Sequence, residues 1–352
     1  MSKISIGIIY GGKSTEHEIS MRSAESVLTV LDKKRYDINL IYITKSGEWL
    51  LTKAEDLFNW KEKSAEKVRI VSPGRIEGTD INKQLDVVIP ILHGTMGEDG
   101  TVQGLLELAE VPYVGCNVRS SAICMDKDIT KKLLKSEGID VAKSVVFKYN
   151  EKNKANFNKT KEKLSLPMFV KPVNQGSSVG VSKVTDEKSF YNAIDEAFKY
   201  DTKVMVESAI NGREIEVAIL GNMDPFVSLP GEIISNTEFY SYESKYIDEK
   251  GASLEIPAKL NSFQVTALQE VALKTFKILD CEGLGRVDMF LTDDNEIFVN
   301  EVNTFPGFTN ISMYPKLLEV SGIEYSSLIE RLIELALQTH KLKTDLRKSL
   351  IK

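Results

Sequence analysis

The sequence predicts a mixed α/β and α+β protein that opens with a doubly wound parallel-sheet domain. Two observations carry this reading. An apolar run at 4–9 (ISIGII) passes through Gly11-Gly12 into helix-spaced residues and then into apolar runs at 38–43 and 85–92, the strand–turn–helix–strand order of parallel sheets. At 352 residues the chain also exceeds what one hydrophobic core usually serves. Two or three domains are therefore expected, the first ending near residue 118.

The elements follow in order. After the first glycine turn, Ser14 or Thr15 is expected to cap a helix, with Glu18 near the capping-box position and Ala24, Val27, Leu28 and Leu31 on its apolar side. The segment LHGTMGEDGTVQG (92–104) leaves a buried strand, turns through three glycines and enters a helix, whose open N-terminus would seat a small carboxylate. His93 stands at the end of that strand, where loops commonly carry function. MDKDITKKLLKSEGI (125–139) reads as a helix closed by Gly138, followed by a strand at 141–147 and a solvated lysine- and asparagine-rich stretch at 148–164. Strand 166–173, a glycine loop, helix 186–199 and strand 203–210 form a small α+β unit. From Arg213 strands are expected to dominate until a final helix, in which Leu328, Ile329, Leu332, Ile333 and Ala336 share one face.

Composition excludes several classes. Apolar residues make up 42% and charged residues 27%, as in globular proteins, and the net charge of −6 argues against a nucleic-acid partner. No apolar run approaches the ~20 residues that span a bilayer. Cys116, Cys124 and Cys281 are odd in number and lack C-x-x-C spacing, which fits buried packing in a reducing cytoplasm. A dinucleotide fold is disfavoured because G-x-G-x-x-G is absent.

The chemistry concentrates in GRVDMFLTDDNEIFVNEVNTFPGF (285–308). Thr292 to Asn295 break it into a hairpin. Strict alternation sets Val287, Met289 and Leu291 against Arg286, Asp288 and Phe290, and Ile297, Val299, Glu301 and Asn303 against Phe298, Asn300 and Val302. Asp288, Glu301 and Asn303 then form an all-oxygen set suited to Mg²⁺, which takes one or two carboxylates and completes its octahedron with water and phosphate. In FVKPVNQGSSVGVSKV (169–184), Lys171 leads into Gln175-Gly176-Ser177-Ser178, where small residues let backbone N–H groups approach phosphate. This is not a Walker loop. Lys127 and Lys171 are candidate phosphate ligands, and Arg286 a candidate for the transferring phosphoryl group or an oxyanion. Glu207 and Glu214 are candidates for the ribose hydroxyls or adenine amine. The aromatic, charged stretch EFYSYESKYIDEKG (238–251) is expected to be a lid or substrate loop.

In order, GIIYGGKSTEHEIS, LHGTMGEDGTVQG, FVKPVNQGSSVGVSK, FYSYESKY, GRVDMFL and NEVNTFPGFTNISMYP resemble the D-alanine–D-alanine ligases of the ATP-grasp superfamily. The resemblance runs nearly end to end. It implies a three-domain ATP-grasp fold with ATP between two antiparallel sheets, and formation of D-alanyl-D-alanine through D-alanyl phosphate for peptidoglycan precursors. It further implies two Mg²⁺ ions, for which Mn²⁺ could substitute, two D-alanine molecules as substrates and a homodimer. Position by position, Asp288, Glu301 and Asn303 resemble the metal ligands, and Lys127 and Lys171 the phosphate-contacting lysines. Gly176, Ser178, Glu207, Glu214 and Lys245 fall on the nucleotide side. Glu16 matches the acid that holds the first substrate's ammonium, with Ser177 and Tyr246 linked to it, and Arg286 matches the arginine at the transferring phosphoryl group. His93 lies at the position near the first D-alanine, while Asn303, Gly307 and Ser312 lie on the substrate side. The alternative within the family is a D-alanine–D-serine or, less favoured, D-alanine–D-lactate ligase. Lys245-Tyr246 matches the dipeptide-forming pattern, whereas Met313 beside the second subsite keeps D-serine in contention.

Overall fold

The computed structural model describes residues 3–53, 65–235 and 252–350. Its first sheet is built from β1 (Ile4–Gly11), β2 (Tyr36–Ile43), β3 (Trp49–Thr52) and β4 (Glu66–Lys67). A small antiparallel sheet of β5 (Arg69–Val71), β6 (Arg75–Glu77) and β7 (Asn82–Gln84) precedes β8 (Val87–Ile91), which returns to the first sheet. The order is β4-β3-β2-β1-β8, and β1 runs parallel to both β2 and β8. The all-parallel expectation needs correction, because β3 and β4 pair antiparallel at the edge. The link from β2 to β3 is a tight turn closed by Gly47 N–H donating to Thr44 O at 2.9 Å, too short for a parallel crossover.

Helix α1 (His17–Val30) packs Ala24 and Val27 on this sheet. Then come α2 (Thr101–Leu108), α3 (Val118–Met125) and α4 (Lys127–Ser136). The helix expected at 125–139 is α4, which starts two residues later behind its cap at Asp126 and ends at Ser136, while α3 precedes it as a separate helix outside that expectation. Asp126 accepts from the Asp128 and Ile129 N–H groups at 3.1 and 3.0 Å, a side-chain cap that fixes where α4 begins.

The second sheet combines β9 (Ser144–Lys148), β10 (Met168–Pro172), β11 (Ser182–Val184) and β12 (Lys203–Ser208) in the order β11-β10-β12-β9, all antiparallel. Between its strands lie α5 (Phe157–Leu164) and α6 (Glu187–Ala197). Met168, Val170, Val204 and Val206 pack against Phe190, Ala193 and Ile194. Strand alternation therefore turns Phe169, Lys171, Met205 and Glu207 to the opposite face.

The third sheet holds β13 (Arg213–Leu220), β14 (Phe226–Val227), β15 (Gly231–Ser235), β16 (Ala252–Glu255), β17 (Leu284–Leu291) and β18 (Ile297–Asn303). Its order is β16-β15-β13-β17-β18, with β14 beside β13. Helix α7 (Ser262–Ile278) packs Leu268, Ala272 and Phe276 on its core face, and α8 (Met313–Val320) follows the hairpin. These two helices correct the expectation that strands dominate from Arg213 until the final helix. Helix α9 (Tyr325–Leu350) returns Leu328, Ile329, Leu332 and Ile333 to the core of β1. Each such side chain contributes ~1.5–3 kcal/mol before ordering entropy is counted.

Candidate active site

The second and third sheets face each other across a cleft of about 340 Å³ lined by Lys127, Lys171, Gln175, Gly176, Ser177, Ser178, Glu207, Glu214, Glu216, Asp288, Asn300 and Glu301, among others. The β17–β18 hairpin forms one wall. Arg286 pairs with Asn303 across the strands, and Asp288 with Glu301. The expected strict alternation of β18 fails at one place. The register slips between Asp288 and Met289, so that Met289 pairs with Val299 and Asn300 is the extra residue. This β-bulge lets Val299 and Val302 both enter the core (1% and 5% exposed) while Glu301 and Asn303 stay on the cleft face.

The oxygen set of the hairpin converges. Asn303 Nδ2 donates to Asp288 Oδ2 at 2.9 Å. Among the described residues no three His, Cys, Asp or Glu side chains form a metal cage. Two carboxylates and an amide are instead the sparse, hard donor set that Mg²⁺ accepts when phosphate and water complete it. Both carboxylates carry a protein cation. The Arg286 fork donates to Asp288 from Nε at 2.7 Å and from Nη2 at 2.8 Å, and Nε also lies 2.9 Å from Glu216 Oε2. Burial opposes the charge on Arg286, but Asp288 and Glu216 outweigh it and keep the guanidinium protonated. Lys127 Nζ sits 3.2 Å from Glu301 Oε2 and donates to Gln175 O at 2.8 Å.

Opposite the hairpin, Glu207 lies between two ammonium groups: Lys131 Nζ is 2.9 Å from its Oε2, and Lys171 pairs with its Oε1. Burial disfavours the Glu207 charge, yet these lysines hold its carboxyl down to about 2. Helix α4, which supplies Lys127 and Lys131, is fastened to β12 by Lys203, 3.0 Å from Asp126 and 2.7 Å from Asp128.

The cleft continues toward the first sheet. Ser177 Oγ donates to Glu16 Oε1 at 2.5 Å. Ser177 and Ser178 both take the left-handed conformation (φ +50° and +58°), which costs an L-residue of order 1 kcal/mol or more and aims the hydroxyl. Glu16 is the N-cap residue of α1, but its side chain caps nothing. The expected Ser14 or Thr15 cap is corrected accordingly, since Ser14 Oγ donates to His93 O at 2.7 Å. Gly94 (φ +73°) has to be glycine on geometric grounds, because a Cβ there would stand 2.6 Å from Glu16 Oε2.

His93 is buried, with Nδ1 3.2 Å from Phe305 O and Nε2 3.0 Å from Ser23 Oγ. Desolvation holds its pKa below the usual value. The expected carboxylate seat at the α2 terminus is already filled by the chain itself. Asp99 accepts from the Met96 and Thr101 N–H groups at 2.7 and 2.9 Å, and Glu98 accepts from Gly94 N–H at 2.6 Å. Burial first, then the nearby Glu16, pushes the Glu98 carboxyl up to about 8.

Gly307 and Ser312 do not line the cleft. They lie past Phe305, where Ser312 Oγ accepts from Thr309 N–H at 3.1 Å and Ser23 Oγ accepts from Phe308 N–H at 3.4 Å. Lys245, Tyr246 and the rest of 238–251 lie outside the described residues. Sequence reasoning missed Lys131, Glu98, Glu216 and Asn300. Glu216 had a signal, since it alternates with Ile215 and Val217 on the face of Glu214. The three cysteines are buried as expected, with Cys124 and Cys281 sulfurs 3.7 Å apart.

Comparison with known proteins decides the family. A model of the D-ala D-ala ligase N-terminus matches residues 5–116, and one of the D-ala D-ala ligase C-terminus matches 133–334. The chain belongs to the D-alanine–D-alanine ligase family. It is 50% identical to the D-alanine–D-alanine ligase of Oceanobacillus iheyensis, covering 99% of each chain, and 45% identical to D-alanine–D-alanine ligase A of Salmonella typhimurium, again over 99% of each. Among solved structures, the D-alanine–D-alanine ligase of Coxiella burnetii superposes with a TM-score of 0.89 at 38% identity, covering 99% of this chain and 98% of that one. The VanG D-Ala:D-Ser ligase of Enterococcus faecalis gives 0.88 at 39% identity, covering 95% and 100%. The ATP-grasp fold expected from the motifs is the fold of these neighbours.

Proposed function

We propose that the chain joins two D-alanine molecules at the expense of ATP, with the nucleotide between the second and third sheets. The observation that carries this reading is the joint placement of Asp288, Glu301 and Asn303 opposite Lys127 and Lys171, on the same cleft as the Glu16–Ser177 link.

The carboxylate of the first D-alanine attacks the γ-phosphorus and ADP leaves. The amine of the second D-alanine attacks the resulting acylphosphate carbonyl, and the tetrahedral species expels phosphate. A carboxylate is a poor acyl donor in water, and phosphorylation supplies its leaving group. Lys127 and Lys171 hold phosphate oxygens, and Gly176 and Ser178 offer backbone N–H groups to them. Arg286, kept charged and oriented by Asp288 and Glu216, faces the transferring phosphoryl group and the oxyanion, where a preorganised cation lowers the barrier most. Glu16 holds the first ammonium, oriented by Ser177 and by Tyr246. His93, neutral and fixed on Phe305 O, shapes the wall beside it. Glu207, Glu214 and Lys245 bind the nucleotide's base, ribose or phosphate, and Gly307 and Ser312 take the second carboxylate. Asp288, Glu301 and Asn303 would hold two Mg²⁺ ions, or Mn²⁺ in their place, which supply positive charge to the terminal phosphates.

We further assign three domains (1–118, 119–211 and 212–352), a homodimer, and a cytoplasmic setting that the three unpaired-in-disulfide cysteines favour. No helix of the described residues is long and apolar enough to cross a membrane. The test is phosphate release and product analysis with D-alanine as donor and D-alanine, D-serine and D-lactate competing as acceptors. D-alanyl-D-alanine is expected to dominate. Tenfold preference for D-serine would overturn the acceptor assignment, and absence of D-alanine-dependent phosphate release would overturn the ligase assignment.

A further inference from the structure

We infer that Lys131 is a positioning residue for nucleotide binding: its ammonium keeps the Glu207 charge compensated when Lys171 leaves that carboxylate for a phosphate. The inference rests on the reading of Lys171 as a phosphate ligand.

Lys131 follows Lys127 by one helical turn and is 4% exposed. It does not line the cleft, whereas Lys127, Lys171 and Glu207 do. From beneath the floor its ammonium meets Glu207, 2.9 Å from Oε2, while Lys171 occupies Oε1. Glu207 thus has one cation in the cleft and another behind it. The cleft-side lysine can move to a nucleotide without stranding a buried charge, a loss that is heavily penalised once one partner of a buried pair is taken away. Without Lys131, every phosphate contact made by Lys171 would come at the cost of leaving Glu207 ionised and uncompensated. A buried ion pair that served folding alone would show no such coupling to the nucleotide.

The experiment is a double-mutant cycle of Lys131→Met and Glu207→Gln, read as the Kd of a non-hydrolysable ATP analogue by calorimetry and as KM for ATP and D-alanine. Lys131→Met is expected to weaken the analogue tenfold or more and to raise KM for ATP in parallel, with KM for D-alanine within twofold. In the Glu207→Gln background the same substitution is expected to change the Kd less than twofold, and Lys131→Arg to restore affinity to within threefold. Unchanged affinity in Lys131→Met, or an equal loss in both backgrounds, would overturn the inference. If Lys131→Met fails to fold, Lys131→Gln gives the same reading with a polar side chain at Glu207. Lys171→Met separates the two levels. A tenfold loss there beside none in Lys131→Met sinks this inference alone, whereas no loss in Lys171→Met sinks the phosphate-ligand reading and the inference with it.

Discussion

The cleft between the second and third sheets and the largely buried Glu16–Glu98–His93 cluster beside the first sheet handle charge in opposite ways. In the cleft each key carboxylate already has a cation: Glu207 has Lys131 and Lys171, Glu301 has Lys127, and Asp288 has Arg286. In the cluster, burial first and the nearby Glu16 second push Glu98 up to about 8, beside a histidine that desolvation keeps neutral. On the proposed reading, the first arrangement exchanges partners when a polyanion arrives. The second holds both Glu98 and His93 in their neutral forms, so that Glu16 is the acid proposed to meet a ligand's ammonium. The difference teaches that the cleft balances its carboxylates with lysine and arginine, whereas the cluster balances its own by keeping Glu98 and His93 neutral.

The comparison breaks most directly at Glu301. Glu301→Ala removes a proposed metal ligand and leaves Lys127 without this carboxylate. D-alanine-dependent phosphate release is expected to fall by about 10²–10³ or more, the scale of losing one preorganised electrostatic group. Turnover within a fewfold of the wild type would take Glu301 out of the phosphoryl-transfer site.

Ser177→Ala sharpens the other side. It deletes the 2.5 Å bond to Glu16, the tie between the serine loop of the cleft and the cluster beside the first sheet. A hydrogen bond to a charged group is worth ~1.5–3 kcal/mol, so kcat/KM for the first D-alanine should drop roughly tenfold or more while ATP affinity stays near its starting value. A loss confined to ATP would mean that the loop serves the nucleotide alone.

What was legible in the sequence follows from periodicity. Asp288, Glu301 and Asn303 stood out because polar groups interrupt apolar strands, and the sheets bring them together. The parity of Val302 was not legible, since the bulge at Asn300 depends on the partner strand and not on β18 itself. Lys131 was hidden by composition: in a helix reading KDITKKLLKS, lysine signals solvent, and only the apposed Glu207 makes this one buried. Helix α7 was missed despite its Asn261–Gln264 capping box, with bonds of 2.9 and 3.0 Å, because β-branched residues within it read as strand. The cap outside α1 failed for a functional reason, as its N-cap carboxylate is turned to Ser177.

A stability effect is expected from Glu98→Gln. The Glu98 carboxyl titrates near 4.5 in an ordinary setting and at about 8 here. Between those values the folded chain binds more protons than the unfolded one, so stability is highest at the acid end of the window and declines as pH rises toward 8. Glutamine keeps the side chain neutral and removes that decline. The variant's Tm should therefore gain on the wild type between pH 5 and 8, by on the order of 2–4 °C for each kcal/mol recovered. Thermal unfolding across this range checks it, and a gap that stays constant with pH would show that Glu98 does not titrate there. Saturating D-alanine adds a second reading. Burial is the main cause of the raised Glu98 value and Glu16 the smaller one, so an ammonium beside Glu16 should flatten the wild-type decline only in part with D-alanine bound, while the Glu98→Gln curve keeps its shape.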